Sequence, residues 1–155
     1  MSNFALRKIE IKGAVHQFYE IVKDDKCLYS KFLIDARKKF HIKEDSQLKF
    51  KEGFDEVEEL ETLIEDIALD NTVLPRCHKP LKSISKQINY QAHEIRTTSS
   101  MLRVYYIKEK NTGKIILLGH IKSNEKDQKK ELKRVIKISK EYHNYQLRNE
   151  VKIVK

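Results

Sequence analysis

The stretch LRVYYIKEKNTGKIILLGHI, Leu102 to Ile121, decides the fold. Its first part, Leu102 to Lys108, is rich in β-branched and aromatic residues. Such residues sit well on a pleated surface and predict a strand. Glu109 to Gly113 (EKNTG) carries turn residues. Lys114 to Ile121 is nearly all apolar, which predicts a strand covered on both faces. Upstream, Tyr90 to Arg96 reads as another strand, so three strands form an antiparallel meander. Downstream, Asp127 can cap a helix. Its apolar stripe is Leu132, Val135, Ile136, Ser139 and Tyr142, at spacings of three and four. The tail from Leu147 reads as a further strand or as loose chain.

Toward the N-terminus, residues 5–12 (ALRKIEIK) alternate well enough for a short strand that Gly13 ends. Val15, Phe18, Tyr19 and Val22 fall at helical spacing. Leu28, Phe32, Ala36 and Phe40 repeat every four residues and mark a helix face. Lys23 to Lys26 separates the two. Residues 41–52 are polar and read as a loop. Phe54, Val57, Leu60, Ile64, Ile67 and Ala68 predict an amphipathic helix from Gly53 to Asp70. Asn71 to Pro80 holds both prolines and reads as a connection. The order is strand, helices, three antiparallel strands, helix. It predicts an α+β fold, with a small antiparallel sheet, N-terminal helices on one face and a C-terminal helix. The 155 residues contain no long linker and read as one domain over 1–155, with the sheet formed by residues 81–142.

The longest apolar run, Ile115 to Leu118, is four residues, far short of a membrane span. MSNFALRKIE lacks the apolar stretch of a signal peptide. Cys27 and Cys77 make no disulfide framework. These features predict a soluble cytoplasmic protein with no membrane partner. The net charge of +9 is unevenly spread. Residues 52–70 hold nine acids and no base, whereas residues 120–155 hold eleven bases and five acids. A chain so divided suits a polyanion such as nucleic acid, with the acidic helix turned away from it. That helix can instead dock a basic protein, or be a solvated face.

Five ordered elements carry a resemblance. They are His93-Glu94-Ile95-Arg96, Leu102-Arg103-Val104-Tyr105-Tyr106, Ile115 to Ile121, Lys122 to Lys126, and Lys130-Glu131-Leu132. This series, covering about 60 residues of the 155, is similar to the RelE/ParE superfamily of bacterial toxins, closest to the phage-type HigB branch. Lys79 to Lys82 also resembles the stretch before that family's meander. The N-terminal half matches in outline only. The resemblance implies a RelE-like sheet and a toxin of a type II toxin–antitoxin pair. Its activity would be a metal-independent endoribonuclease cutting mRNA, often on the ribosome. Its partners would be RNA and a cognate antitoxin protein.

Such cleavage is an in-line attack by the 2′-hydroxyl on its own phosphate. It needs a base, cations around the phosphorane, and a proton donor for the leaving 5′-oxygen. By resemblance, Arg103 matches the strand arginine that binds the scissile phosphate. Its plain alternative is a surface arginine paired with Glu94. Arg96 matches a basic strand position and suits phosphate binding, because arginine holds its proton too tightly to act as a base. Lys122 matches the basic residue at the strand-to-helix turn. His120, two residues before it, is a candidate proton carrier. Lys126, His93, Lys82 and Tyr105 are candidate RNA contacts. His93 faces away from Arg96 in a regular strand. Of Tyr105 and Tyr106, one is expected in the core and one exposed. Gln128 stands where the nucleases place a catalytic tyrosine, and an amide cannot donate or accept the proton.

No cofactor is expected. Cys77-His78 has no second ligand pair at zinc spacing, and no glycine-rich phosphate loop is present. Two other readings remain beside the nuclease: a gyrase-poisoning ParE-like toxin, and a phage or plasmid accessory protein that binds nucleic acid without cutting it.

Overall fold

The computed structural model describes residues 2–41, 47–122 and 125–155, and their side chains except at 40–41, 47–55 and 125. The strands are β1 (Phe4–Ile9), β2 (Phe18–Lys23), β3 (Lys26–Cys27), β4 (His78–Pro80), β5 (Gln91–Arg96), β6 (Leu102–Glu109), β7 (Gly113–Ile121) and β8 (Lys152–Val154). The helices are α1 (Leu28–His41), α2 (Gln47–Ala68), α3 (Lys82–Ser85) and α4 (Glu125–Arg148). The fold is mixed α+β, with one mostly antiparallel sheet in the order β4-β5-β6-β7-β2-β1-β8, and β3 pairing with β2.

The meander β5-β6-β7 runs in the expected register, with Arg96 opposite Arg103 and Leu102 opposite Ile121. The sheet is wider than residues 81–142, because β1, β2, β4 and β8 join it. It is also not wholly antiparallel. β2 lies parallel to β7, with Phe18 opposite Lys114, and β8 lies parallel to β1. The tail from Leu147 thus supplies a short edge strand.

The helical spacing at Val15 to Val22 misleads, because Phe18–Lys23 is a strand. Its first five residues are all buried, since β1 and β7 flank it and helices cover both faces. Burial on both faces erases the two-residue alternation and leaves composition as the strand signal. Asp24 and Asp25, at φ of 48° and 66°, turn the chain back into β3, as a two-residue hairpin requires. The loop expected at 41–52 is partly helix, since α2 already begins at Gln47. Residues 42–46 of that expected loop lie outside the described residues. The connection at 71–80 holds a 3-10 turn at Pro75–Cys77 and the edge strand β4.

Two cores lie on the two faces. Phe18, Phe32, Leu60, Ile64, Val104 and Tyr106 pack between the sheet and α1–α2. Leu6, Ile21, Tyr105, Ile107, Val135 and Tyr142 pack between the sheet and α4. Tyr105 and Tyr106 therefore point to opposite faces, yet both are buried, at 0% and 1% exposure. The expectation of one exposed tyrosine fails because helices cover both faces. A bulge between them, opposite Leu118 and Ile116, leaves Leu117 as the extra residue. None of the described helices is long and apolar enough to cross a membrane.

Glu20 holds α1 in place. Its buried carboxylate accepts from the Ser30 backbone N–H at 3.1 Å and from Ser30 Oγ at 2.8 Å. It thus satisfies a free amide of the helix's first turn and favours its dipole. At Gly119 of β7, α1 lies so close that an added Cβ would overlap the Phe32 ring. Gly119→Ala should therefore cost about 1–3 kcal/mol in urea unfolding, the usual penalty of overpacking. Adding Phe32→Leu should recover part of it. Wild-type stability in Gly119→Ala would show that α1 does not seat there.

Candidate functional site

Arg96, Arg103 and His120 stand in one cross-strand row, Arg96 opposite Arg103 and Arg103 opposite His120. Arg103 shares the phase of Tyr105 on β6, so the row faces α4. Glu94, 4% exposed, sits between the two arginines. Its Oε2 lies 3.4 Å from Arg103 Nη1 and its Oε1 lies 3.7 Å from Arg96 Nε. Arg96 Nε also donates to the Arg76 carbonyl at 2.7 Å. Arg103 is 1% exposed, so its pairing with Glu94 is a buried ion pair rather than a surface one.

His120, 8% exposed, completes the row, and its Nε2 is buried without a partner. Burial lowers its pKa, against the opposing field of Glu131 and Asp127 and with the help of Arg103 and Arg134. Burial raises the pKa of the neighbouring Tyr105, so its phenol stays protonated. The turn between β5 and β6 is held by the acidic helix. The Thr98 N–H donates to Glu59 Oε1 at 2.7 Å, and Ser99 Oγ donates to Glu56. Two of the nine acids of residues 52–70 thus position the strand ends that carry Arg96 and Arg103.

Lys122 lies just past β7, where its N–H donates to the Met101 carbonyl at 2.8 Å and closes the ladder. Lys126 is exposed on the first turn of α4, and Gln128 is half-buried beside it. The fold therefore gathers Arg96, Arg103, His120 and Tyr105, with Lys122 at the end of the row. It leaves Lys82 and His93 elsewhere. Lys82 is exposed on α3, at the far end of β5, where the Leu81 N–H donates to the Ala92 carbonyl at 2.8 Å.

His93 faces the opposite side of the sheet, as its spacing from Arg96 predicts, and belongs to a second cluster. Its ring stacks on Tyr106 at 4.9 Å between centroids and 6° between planes. The His78 ring lies 5.4 Å away, and His78 Nε2 is 2.7 Å from Tyr106 Oη. Lys114 Nζ stands 5.9 Å from the centre of the Tyr106 ring. These groups line a cleft of about 360 Å³ between the sheet and the C-terminal end of α2. His16 and Asp70, 3.2 Å apart, form its rim. Burial, then the charges of His78, Lys114 and Lys108, push the His93 pKa down to about 4. Burial and Lys114 also lower that of His78. Burial and Lys108 lower that of Lys114, which Asp70 partly offsets.

Sequence reasoning missed this cleft. His78 was visible only as half of a Cys-His pair, and β4, which carries it, lies in a stretch read as connection. The available signal was Lys114, a lysine opening a strand read as buried on both faces. Among the described residues no group of His, Cys, Asp and Glu is arranged to hold a metal ion.

Charge divides between α4 and α2. On α4, Lys126, Lys130, Lys133, Lys137 and Lys140 are exposed at spacings of four and three, a stripe about 21 Å long. On α2, across the sheet, Glu58, Glu61 and Glu65 are exposed at the same kind of spacing. No family model, no curated protein and no solved structure matches this chain.

The cleft imposes a pH dependence. Unfolded His93 takes up its proton near 6.5, whereas the folded chain resists it down to about 4. The unfolded state therefore binds more protons in that window, and stability falls as pH drops through it. Melting temperatures measured across this range should fall more steeply for wild type than for His93→Phe, which keeps the stacked ring and has nothing to titrate. Parallel curves would remove His93 as the cause.

Proposed function

We propose that this chain is the toxin of a type II toxin–antitoxin pair, a RelE/ParE-like, metal-independent endoribonuclease that acts on mRNA. The row Arg96–Arg103–His120 is the observation that carries the reading. Residues 24 positions apart in the chain meet across three strands and combine two cations with an imidazole. In that reading the arginines hold the scissile phosphate and His120 moves the proton that arginine cannot. The lysine stripe of α4 supports an RNA backbone contact, and the α2 carboxylates on the other face keep the RNA on one side. A RelE-like arrangement of α1 and α2 on one sheet face belongs to the same proposal. So do a cytoplasmic location and a cognate antitoxin covering the basic face.

A second reading is a nucleic-acid-binding protein on this scaffold that does not cut. Glu94 favours it, because it already occupies Arg103, and Gln128 favours it, because it supplies no proton.

Expression in bacteria with primer-extension mapping of mRNA ends separates the two. The variants must respect the buried pair, since Arg103→Ala strands Glu94 and costs about 3–5 kcal/mol. Arg96→Gln, His120→Gln and the double variant Arg103→Met/Glu94→Gln avoid that. Growth arrest with new 5′ ends inside reading frames, lost in folded variants, is the expected result. Arrest without new ends would replace the nuclease by another target. Folded protein with neither effect would leave only the binding reading.

The stripe makes its own prediction. Replacing Lys130, Lys133 and Lys137 with Gln should weaken single-stranded RNA binding. It should also reduce the slope of log affinity against log salt by about 0.7 per lost phosphate contact. An unchanged slope would move the RNA path off α4.

A further inference from the structure

The cleft at the opposite end of the sheet from the arginine row is unused by the proposed cleavage. Three observations define it. Lys114 is 8% exposed, and its ammonium makes no ion pair or hydrogen bond among the described residues. A lysine this buried is ordinarily paired, and its Nζ is not shut off from the cleft that it lines. Lys108 lines the same cleft and adds a second cation on the neighbouring strand, where it stands opposite Lys114. The carboxylate that could neutralise them, Asp70, lies at the rim and is engaged by His16 at 3.2 Å.

The neighbouring strands on the same sheet face supply donors. His78 is oriented by Tyr106 Oη at 2.7 Å, and the parallel stack on Tyr106 fixes the His93 plane. His93 Nδ1 is buried without a hydrogen-bond partner. Imidazoles and ammonium groups that line one space, with a single exposed carboxylate at its rim, form a receptor for an anion. The volume of about 360 Å³ exceeds that of a bare phosphate and lies in the range of small-ligand pockets. Ile67 and Val73 give the same cleft an apolar wall beside the charged one.

We infer that this cleft binds the terminal phosphate of a nucleotide, with Lys114 and Lys108 as its cations, His78 and His93 as its hydrogen-bond donors, and Ile67 and Val73 against the nucleoside. The site is independent of the arginine row and does not require that the chain cut RNA. Its chemistry suits either a free mononucleotide or the phosphorylated end of an RNA strand.

The test is a titration of full-length protein followed by the imidazole NMR signals of His78 and His93. The probes are inorganic phosphate, adenosine monophosphate, and a five-nucleotide RNA with and without a terminal phosphate. The expected result is a saturable shift of both imidazoles with the phosphorylated probes, and none with the RNA that lacks the phosphate. Tighter binding of the mononucleotide would identify a free nucleotide as the ligand, and tighter binding of the phosphorylated RNA would identify a strand end. Lys114→Met should lower affinity about tenfold or more, the weight of a lost charge-assisted contact. It should not lower the melting temperature, because Lys114 makes no ion pair or hydrogen bond among the described residues. No shift with any phosphorylated probe would overturn the site. So would equal shifts with and without the terminal phosphate, or wild-type affinity in folded Lys114→Met. Should Lys114→Met fail to fold, Lys108→Met, on the cleft mouth, carries the same test with the same expected direction.

Discussion

The parallel pairing of β2 with β7 is the constraint on which the rest of the structure turns. It ties the N-terminal half to the meander through Phe18–Lys114, Tyr19–Ile115 and Glu20–Ile116. Once β2 occupies that edge, β7 is an interior strand whose run is apolar toward both faces. Helices must then cover both faces, and α1–α2 take one while α4 takes the other. Glu20 sits in this same pairing and fixes the start of α1 through Ser30. Gly119, further along β7, lets α1 approach by leaving room for Phe32. The pairing also creates the cleft, because the Lys114 N–H donates to the Gln17 carbonyl at 3.0 Å and so sets the lysine beneath the loop that carries His16.

A second layer of constraint is electrostatic. The β5–β6 turn hangs from Glu56 and Glu59 of α2, so the acidic helix is structural at two of its carboxylates. Glu61 reaches Arg37 of α1 at 2.8 Å, an exposed pair that contributes little on its own. The remaining exposed acids face away from α4. The resulting polarity, acid on α2 and base on α4, is a property of which helix lies on which face of the sheet; α1, beside α2, carries exposed Lys31, Arg37, Lys38 and Lys39.

The meander and the final helix were legible from sequence because their signals are local. Leu102 to Lys108 and Ile115 to Ile121 carry strand composition, and the turn between them carries turn residues. The N-terminal half was less legible. β2 shows no alternation because both its faces are buried, and Val15 to Val22 happens to fit a helical spacing. The candidate row was legible as far as spacing allows. Arg96, Arg103 and His120 were each visible, and their meeting follows from the register of three strands. The burial of Arg103 was not visible, because nothing in its own strand announces that α4 lies over it. The cleft depends on β4, a three-residue edge strand in a proline-containing stretch, and so on a long-range pairing that no local pattern encodes.

The two ends of the sheet solve the same problem in opposite ways, and the difference follows from the cations themselves. Each end buries a basic side chain against β6 and β7. Arginine keeps its proton in any protein environment, so a buried arginine must have a counter-ion. Arg103 has one in Glu94, held on the neighbouring strand by the register that sets Glu94 opposite Tyr105. Lysine can give up its proton, so burial without a carboxylate is tolerated at the expense of a lowered pKa. Burial lowers the pKa of Lys114, and also those of His78 and His93 in the same cleft. The arginine end is therefore electrostatically closed, and an anion there must displace Glu94. The lysine end is electrostatically open, and an anion there relieves a cost that the fold already bears.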